Sequence, residues 1–484
     1  MSAASQETNA KVGSVGGARA SDPVPRPSPP PAPPRPSPAP PRPYAFPRFE
    51  RRTLPNGLSL VVAPVSKLPV VSVLAVVEAG ADADPEGKEG VAQLTARALV
   101  EGTTDLDGAA LTDRLERLGT ALDASADWDA AVVRMTVLAP RLGEALALMG
   151  EVLAAPAFPE REVERLKAER LADLLQLRTE PRGLADEMFD RFVYAPDARY
   201  GRPDGGSEAS VAALTRDDVA HFYAARYRAG GTTLVIAGDV SADEAERLAT
   251  DSLGRWAGAR PAPAPAADAP ARGGRRVHVV AKEDAPQSEL RVGHVGLPRS
   301  HPDFFAVTVM NALLGGLFSS RINLNLREAH AYTYGAHSGF DWRRGAGPFA
   351  VSTAVASDVT AAALRETLLE IDRMRADPVS EGELSLATSY LDGVFPIRYE
   401  TAAAIAAALA NMHIYGLGAD YYDRYRERVR AVTLDDVQRA ARQYLDPERL
   451  QVVVVGDPTA VRAPLEALGV GPVAVYDAQG NPAA

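Results

Sequence analysis

The chain has 484 residues, of which 46% are hydrophobic, and it carries a formal net charge of −11 at pH 7. This length allows two to four domains, each large enough to bury its own core. The negative charge argues against a nucleic-acid or anionic-membrane partner. The sequence contains no cysteine, which excludes disulfides, thiolate catalysis and cysteine-ligated zinc.

The first 43 residues differ in composition from the rest of the chain. They are rich in Ser, Ala and Gly and end in the run PVPRPSPPPAPPRPSPAPPRP. Proline at this density removes backbone donors and disfavours both helix and sheet. We predict a disordered or polyproline-II tether over residues 1–43, with a ligand for an SH3-like domain as the alternative.

The visible amino terminus has no apolar stretch of the kind found in a secretory signal. No uninterrupted apolar run approaches the roughly 20 residues that cross a bilayer. The sequence therefore predicts a cytoplasmic protein with no transmembrane segment, and a periplasmic or envelope-associated location is the alternative.

Ordered structure is predicted from residue 44 onward. Residues 51–64 indicate a hairpin around Pro-Asn-Gly, and the apolar run 70–78 (VVSVLAVVE) indicates a strand. Residues 90–101 (GVAQLTARALVE) have the apolar periodicity of a helix. The other elements predicted here are a strand at 130–138 and helices at 108–118, 159–177 and 184–192.

Two segments of the chain resemble each other. They are LTRDDVAHFYAARYRAGGTTLVIAGDV at 214–240 and VTLDDVQRAARQYLDPERLQVVVVGDP at 432–458. Each indicates a Thr-capped helix, a turn and an apolar strand ending in Gly-Asp, and Asp218 corresponds to Asp436 in the same register. The alternative is a coincidence between two common helix–strand units. We interpret the pair as an internal duplication of units of about 220 residues.

The Ala/Pro-rich run at 261–274 (PAPAPAADAPARGG) separates the two units. We therefore predict a first domain over residues 44–260, a hinge linker over 261–274 and a second domain over 275–484. Strands, hairpins and helices are interspersed within each unit, which favours an α+β fold over a doubly wound parallel sheet.

The segment 313–342 of the second unit carries a candidate polar site. It begins with Gly315 and Gly316, continues as a helix-like run to Arg327, and then alternates with period two from residue 332, as a strand does. Arg327 and Tyr334 would then lie close enough to donate hydrogen bonds to one carbonyl or oxyanion. Spacing alone also suits a surface arginine and a half-buried tyrosine.

The pattern LREAHAYTYGAHS resembles the arginine/tyrosine segment of the insulinase/pitrilysin family of metallopeptidases. The resemblance extends over about residues 44–470 and includes PNGLSLVV, DPEGKEGVAQLTARALVEGT and ALTRDDVAHFYAARY. It implies that Arg327 and Tyr334 are catalytic residues that face a zinc site across a cavity. It also implies two duplicated domains, like those of the mitochondrial processing peptidase, that close as a clam shell around a peptide-binding chamber.

The resemblance also implies how a peptide is bound. The strand at 70–78 would be the edge strand to which an extended peptide adds by β-augmentation. The two glycines would let the backbone approach or flex, with an ordinary turn as the alternative. The implied substrate-binding residues are Val73, Leu74, Ala75, Val76, Gly315 and Gly316.

The zinc motif of the family, His-x-x-Glu-His, is degenerate in this chain. Its positions hold Gln93, Ala96 and Arg97, and the third ligand would fall near Asp173. Glutamine is a weak neutral ligand, alanine cannot act as a base, and a permanently protonated guanidinium has no lone pair for zinc. These positions predict no metal and no cofactor in this chain. The alternative role of Gln93 and Arg97 is to fill the vacated cavity, with Arg97 paired to Asp173.

Two interpretations of function follow from the resemblance. The chain is the non-zinc subunit of a heteromeric metallopeptidase, active on peptides or unfolded polypeptides only with a homologous partner that carries His-x-x-Glu-His and zinc, and inactive alone. The alternative is a catalytically inert peptide-binding or scaffold protein of the same fold. The intact Arg327/Tyr334 pair favours the first interpretation, because a scaffold has no chemical need for two such donors.

Overall fold

The computed structural model describes residues 43–264 and 273–483. The predicted tether therefore lies outside the described residues except for Pro43, and so does most of the predicted linker. The chain divides into two units, Met1–Pro43 and Tyr44–Ala484, and the second unit contains all the elements below.

The first half of the ordered unit is built on a six-stranded sheet. Its strand order is β1-β2-β6-β3-β5-β4, with β2 and β6 parallel and the other neighbours antiparallel. Its strands are β1 (Glu50–Thr53), β2 (Ser59–Pro64), β3 (Val70–Val77), β4 (Asp123–Ala126), β5 (Ala131–Leu138) and β6 (Thr232–Gly238).

The second half is built on a sheet of the same plan. Its order is β12-β7-β11-β8-β10-β9, so β7, β11, β8, β10 and β9 occupy the places of β2, β6, β3, β5 and β4. Its strands are β7 (Arg276–Ala281), β8 (Gln287–Val295), β9 (Ala336–Phe340), β10 (Pro348–Ala356), β11 (Gln451–Gly456) and β12 (Val473–Tyr476).

Helices pack around these sheets. Those of the first half are α1 (Val91–Ala98), α2 (Gly108–Arg117), α3 (Leu142–Ala154), α4 (Glu160–Leu177), α5 (Pro181–Val193), α6 (Glu208–Ala213), α7 (Arg216–Arg226) and α8 (Ala242–Leu253). Those of the second half are α9 (Phe304–Asn311), α10 (Arg321–Asn323), α11 (Thr360–Ala376), α12 (Glu381–Arg398), α13 (Ala402–Ile414), α14 (Tyr425–Arg430), α15 (Leu434–Tyr444) and α16 (Pro458–Ala467). Two π-helical turns, Ala312–Gly316 and Leu324–Ala329, follow α9 and α10.

The repeated helix–strand unit is present in both halves. Helix α7 begins with a capping box between Thr215 and Asp218, and α15 begins with the same box between Thr433 and Asp436. Each helix precedes the strand that pairs in parallel within its sheet, β6 or β11. The duplicated α+β fold predicted from the sequence is thereby confirmed.

The two halves exchange a helix. Helix α5 of the first half packs on β8 and β11 of the second sheet, where its buried Leu184 and Met188 meet Val453. Helix α13 of the second half packs on β3 and β6 of the first sheet, where Leu409 lies in the same core cluster as Leu74. Burying each such side chain contributes about 1.5–3 kcal/mol, so the halves form one body.

A loop of the second half joins the same contact between the halves. The Arg343 Nη2 donates to Asp190 Oδ2 at 3.1 Å, and its Cζ lies 4.8 Å from the ring centroid of Trp128. The next backbone N–H, of Arg344, donates to Asp129 Oδ2 at 2.9 Å. Because Asp190, Trp128 and Asp129 belong to the first half, polar and ring contacts add to the exchanged helices.

The predicted edge strand is a central strand, so its proposed role in binding a peptide is wrong. Strand β3 pairs with β5 on one side and with β6 on the other. Both rows of backbone hydrogen-bonding groups are therefore occupied, and no peptide can add there. The first sheet instead ends at β1 and β4. The continuous apolar run VVSVLAVV is itself typical of a strand covered on both faces. The correction applies to Val73, Leu74, Ala75 and Val76, all of which are buried.

The expectation that no segment could span a membrane needs one qualification. The helical run Phe304–Ala329 is long and apolar enough by length and composition, but 67% of its most apolar 18-residue window is buried in the fold. Core helices meet the same criterion, so this run is weak support for a membrane span. Among the described residues no other helix meets it.

Candidate functional site

A cavity of about 620 Å³ opens beside β8, β9 and β10 of the second sheet. Arg327 and Tyr334 both line it, as do Gly315 and Gly316. The structure therefore brings together four of the residues that the sequence singles out. It adds residues that the sequence interpretation did not include, among them Arg182, Arg291, Phe318 and His337.

Arg327 lies in the π-helical turn Leu324–Ala329, a backbone form that is frequent at functional sites. Its Cζ lies 4.5 Å from the ring centroid of Phe318, whose side chain is exposed. Its Nε is 3.5 Å from Glu328 Oε1, a loose ion pair in solvent. The guanidinium is thus supported on one face by an aromatic ring and keeps donors available to a ligand.

Tyr334 lies in the turn before β9 and not in the strand, which begins at Ala336, four residues after the predicted start of the alternation. Its side chain is 96% exposed. The hydroxyl has no hydrogen-bond partner within the described ranges. The turn itself is held in place, because Thr333 Oγ1 donates to Gly335 O at 2.9 Å and Thr353 Oγ1 donates to Thr333 Oγ1 at 3.0 Å. An ordered turn therefore presents an unpaired phenol.

Asn323 joins the two sides of the site. Its buried side-chain amide donates to Phe318 O at 2.6 Å, and its Oδ1 accepts from Ala336 N at 3.0 Å. One side chain therefore positions both the ring under Arg327 and the strand that follows Tyr334. Sequence reasoning missed this residue, since an asparagine inside a helical run carries no signal for a contact 13 residues away.

The two glycines lie where the π-helical turn Ala312–Gly316 meets β9. A Cβ on Gly315 would lie 2.5 Å from Ser338 N, and one on Gly316 would lie 3.0 Å from Asn311 O. Asn311 also bonds this edge of β9, donating to Ser338 O at 3.0 Å and accepting from Ser338 Oγ at 2.7 Å. Close packing explains the need for glycine at position 315. A substrate contact at either glycine stays a prediction.

The degenerate zinc positions lie elsewhere, on α1. Ala96 is buried, and the Nη2 of Arg97 donates to Glu169 Oε2 at 2.8 Å. The predicted partner, Asp173, is exposed and lies one helical turn further along α4. The pairing of Arg97 with Asp173 was therefore wrong. The place where α4 crosses α1 determines which carboxylate meets Arg97. Sequence spacing alone does not show where two helices cross.

A second guanidinium lies beside the first of these positions. Arg170 Nε donates to Gly205 O at 3.1 Å, and a Cβ on Gly205 would lie 2.5 Å from Gln93 Oε1. Gln93, Arg97 and Arg170 make a cationic, filled surface that does not fit a zinc ion. In the part of the chain that the structure describes, no group of three or more His, Asp or Glu side chains is arranged to hold a metal.

The cavity and the degenerate positions are separate. Of the described residues that line the cavity, Arg182 comes from α5 and all the others come from 287–354. None belongs to α1 or α4. The Arg327/Tyr334 pair and the degenerate positions of its own chain therefore do not line the same cavity, and Tyr334 is exposed.

The duplicated sheets, the filled metal positions and the Arg/Tyr cavity define a peptidase-like class of two-domain proteins. Comparison of the sequence with protein families agrees. The profile described as Insulinase (Peptidase family M16) matches residues 61–195, and the profile described as Peptidase M16 inactive domain matches residues 213–391. The chain belongs to the insulinase, or M16, peptidase family.

Relatives of known sequence and structure extend over most of the chain. An uncharacterized zinc protease of Mycobacterium tuberculosis is 25% identical over 414 residues, which are 84% of this chain and 92% of that protein. A non-peptidase homolog of Helicobacter pylori is 20% identical over 381 residues, 78% of this chain and 87% of that one. The crystal structure of a peptidase M16 inactive domain from Pseudomonas fluorescens superimposes with a TM-score of 0.80, at 24% identity, over 85% of this chain and 99% of that one.

Proposed function

We propose that this chain is the non-zinc subunit of a heteromeric zinc metallopeptidase. Arg327 and Tyr334 bind the carbonyl oxygen of the bond to be cleaved. The zinc and the general base belong to a homologous partner that carries His-x-x-Glu-His. The substrate is a peptide or an unfolded polypeptide, and the chain alone does not hydrolyse it.

One observation supports this proposal above the others. Two hydrogen-bond donors line an open cavity, while the metal positions of the same chain lie elsewhere and are filled by Arg97 paired with Glu169. A donor pair of this kind acts only on a carbonyl that another group is attacking. We therefore assign the attacking group to a second polypeptide.

In the proposed reaction, this chain contributes hydrogen-bond donors. In such an assembly the partner's metal supplies an activated water. As negative charge develops on the carbonyl oxygen, Arg327 and the Tyr334 hydroxyl donate hydrogen bonds that are stronger to the oxyanion than to the neutral carbonyl. One such donor lowers the barrier by about 2.7–4 kcal/mol.

The proposal is tested by reconstitution with a zinc-bearing homologue from the same source. Arg327→Ala and Tyr334→Phe are each expected to lower kcat by about 10²- to 10³-fold. Both complexes should still assemble, as measured by size-exclusion chromatography. Tyr390→Phe is the matched control, because Tyr390 is an exposed tyrosine on α12, far along the chain from the cavity. Full activity in both site variants would show that Arg327 and Tyr334 do not act as donors in the reaction.

A catalytically inert scaffold is the second candidate. The filled positions at Gln93, Ala96 and Arg97 support it, and so does the similarity to a non-peptidase homolog. On this alternative, Arg327 and Tyr334 are not used in chemistry. It predicts that no zinc-bearing homologue forms an active complex with this chain, and that the two substitutions change neither assembly nor any activity of the assembly.

A further inference from the structure

Arg182 is the one described cavity residue that the first half contributes, and it lies in the first turn of α5. The backbone places it firmly. Its N–H donates to the N-capping Glu180 at 3.1 Å, and its carbonyl accepts from Arg291 Nη2 at 3.3 Å. Because Glu180 already caps the helix, what Arg182 offers the cavity is its side-chain cation. That side chain is exposed, and among the described residues it has no carboxylate partner.

The charged side chains around the cavity are unevenly paired. Three arginines and one glutamate line it: Arg182, Arg291, Arg327 and Glu289. Arg291 is neutralised, since its Nη1 donates to Glu289 Oε2 at 2.9 Å and its Nε donates to Asp186 Oδ1 at 2.6 Å. Arg182 and Arg327 remain, the first without a carboxylate partner and the second with only its loose contact to Glu328.

His337 does not change this balance. It lines the cavity from β9, and burial together with Arg291 and Arg182 lowers the pKa of its imidazole below the ordinary value of 6.5. The ring is therefore neutral at pH 7. Arg182 and His337 both line the cavity.

We propose that this cavity selects a carboxylate in the bound polypeptide, and that Arg182 is the residue that recognises it. The inference rests on the proposed function of the same site and adds a substrate class. A guanidinium fork binds a carboxylate through two parallel hydrogen bonds. Neither a lysine nor a neutral amide in the polypeptide can replace the carboxylate as the ligand. The carboxylate belongs either to an Asp or Glu side chain or to the polypeptide's carboxyl terminus.

Direct binding to the full chain tests the inference without a partner subunit. Fluorescence anisotropy compares three labelled peptides of equal length: one with an internal Asp and an amidated end, one with Asn and a free carboxyl end, and one with Asn and an amidated end. At least one carboxylate peptide is expected to bind about 10-fold more tightly than the neutral peptide. The peptide that gains affinity identifies the source of the carboxylate.

Variants of Arg182 make the assignment specific. Arg182→Gln is expected to reduce the preference to less than about 2-fold, and Arg182→Glu to favour a Lys-containing peptide. Arg462→Gln, at an exposed position on α16, is the matched control and should keep the full preference. Equal binding of all three peptides to the unmodified chain, no binding of any of them, or a preference that persists in Arg182→Gln would overturn the inference.

The two proposals fail in different experiments. In the reconstituted peptidase, Arg182→Gln should raise KM for the carboxylate substrate, whereas the Arg327 and Tyr334 variants lower kcat. An active complex with no carboxylate preference overturns the role of Arg182 alone. A carboxylate preference in a chain that never forms an active complex overturns the catalytic proposal alone.

Discussion

At the scale of single residues, the site depends on side chains that need not touch a substrate. Asn323 joins the loop at Phe318 to the start of β9, and Thr353 holds the turn that carries Tyr334. Asn323 and Thr353 are both buried, and leaving a buried amide unpaired costs about 1–3 kcal/mol. The half-buried Arg327 and the exposed Tyr334 are thus presented by a hydrogen-bonded support.

A titratable residue at the contact between the halves makes stability depend on pH. Burial raises the pKa of Asp82 to about 6, against an ordinary 3.8, although the nearby Arg344 cation opposes the shift. A carboxyl whose folded pKa is raised contributes stability that is fully present below about pH 3.8 and is lost as pH rises through 6. Other carboxyls, such as that of Glu383, have lowered pKa values and act in the opposite direction.

Asp82→Asn isolates this contribution, since the amide keeps the shape and does not titrate. The free energy of unfolding of the variant, relative to the unmodified chain, is expected to rise by about 1–3 kcal/mol between pH 4 and pH 7. Urea unfolding at several pH values measures it. Parallel pH profiles for the two proteins would contradict the assignment.

At the scale of elements, a helix end packs directly on a strand. The π-helical turn Ala312–Gly316 lies against the outer side of β9, with Gly315 next to Ser338 and Asn311 bonded to the same residue. This contact sets the position of β9 and, through it, of the turn that carries Tyr334. The geometry of the site therefore depends on the close contact between the backbone at Gly315 and that of β9, which only glycine allows.

Gly315→Ala tests that coupling. The new Cβ would lie 2.5 Å from Ser338 N, so the turn or the strand must shift. We expect a loss of about 1–3 kcal/mol in the free energy of unfolding and a lower kcat in the reconstituted peptidase.

Gly393→Ala on α12 is the matched control for this substitution. No atom lies within 4 Å of the added Cβ, and alanine favours a helix interior by about 0.5–1 kcal/mol. The control should therefore be stable and active. A Gly315→Ala chain as stable as the unmodified one would show that β9 is positioned in some other way.

At the scale of the whole molecule, the exchanged helices α5 and α13 make the two halves interdependent. Each sheet is covered in part by a helix that its own half does not supply. Separating the halves would expose apolar faces of both sheets to water. The unit Tyr44–Ala484 should therefore unfold in a single cooperative transition.

Leu409→Ala on α13 tests this interdependence. Leu409 is 1% exposed and packs in a cluster that contains residues of both halves, so its truncation should cost about 2–5 kcal/mol. Hydrogen exchange should then accelerate in both sheets. Leu369→Ala on α11, where the leucine is 37% exposed, is the control and should cost far less. Faster exchange confined to the second half would argue for independent domains.

The local features of this protein were predictable from its sequence. The helix over 90–101 is α1 with a short helical extension to Glu101, the hairpin around Pro-Asn-Gly is β1–β2, and both Thr-Asp capping boxes are present. The residue types at the zinc positions were also readable, and Ala96 and Arg97 lack lone pairs for a metal whatever surrounds them. These features depend on residue type and on neighbours within one or two turns.

Features that join distant parts of the chain were not predictable. The sequence placed β3 at an edge and paired Arg97 with Asp173, whereas the fold places β3 between two strands and selects Glu169. It contained no sign that α5 would cross to the other sheet and bring Arg182 to the cavity.

The sequence by itself determined the local elements, the duplication and the residue types at the lost metal positions, since these follow from backbone preferences and side-chain chemistry. Strand order, helix crossing and the set of residues around Arg327 and Tyr334 were decided only in the tertiary structure. The physical reason is that such contacts depend on how whole apolar faces pack together. That packing is determined jointly by residues that lie far apart in the chain.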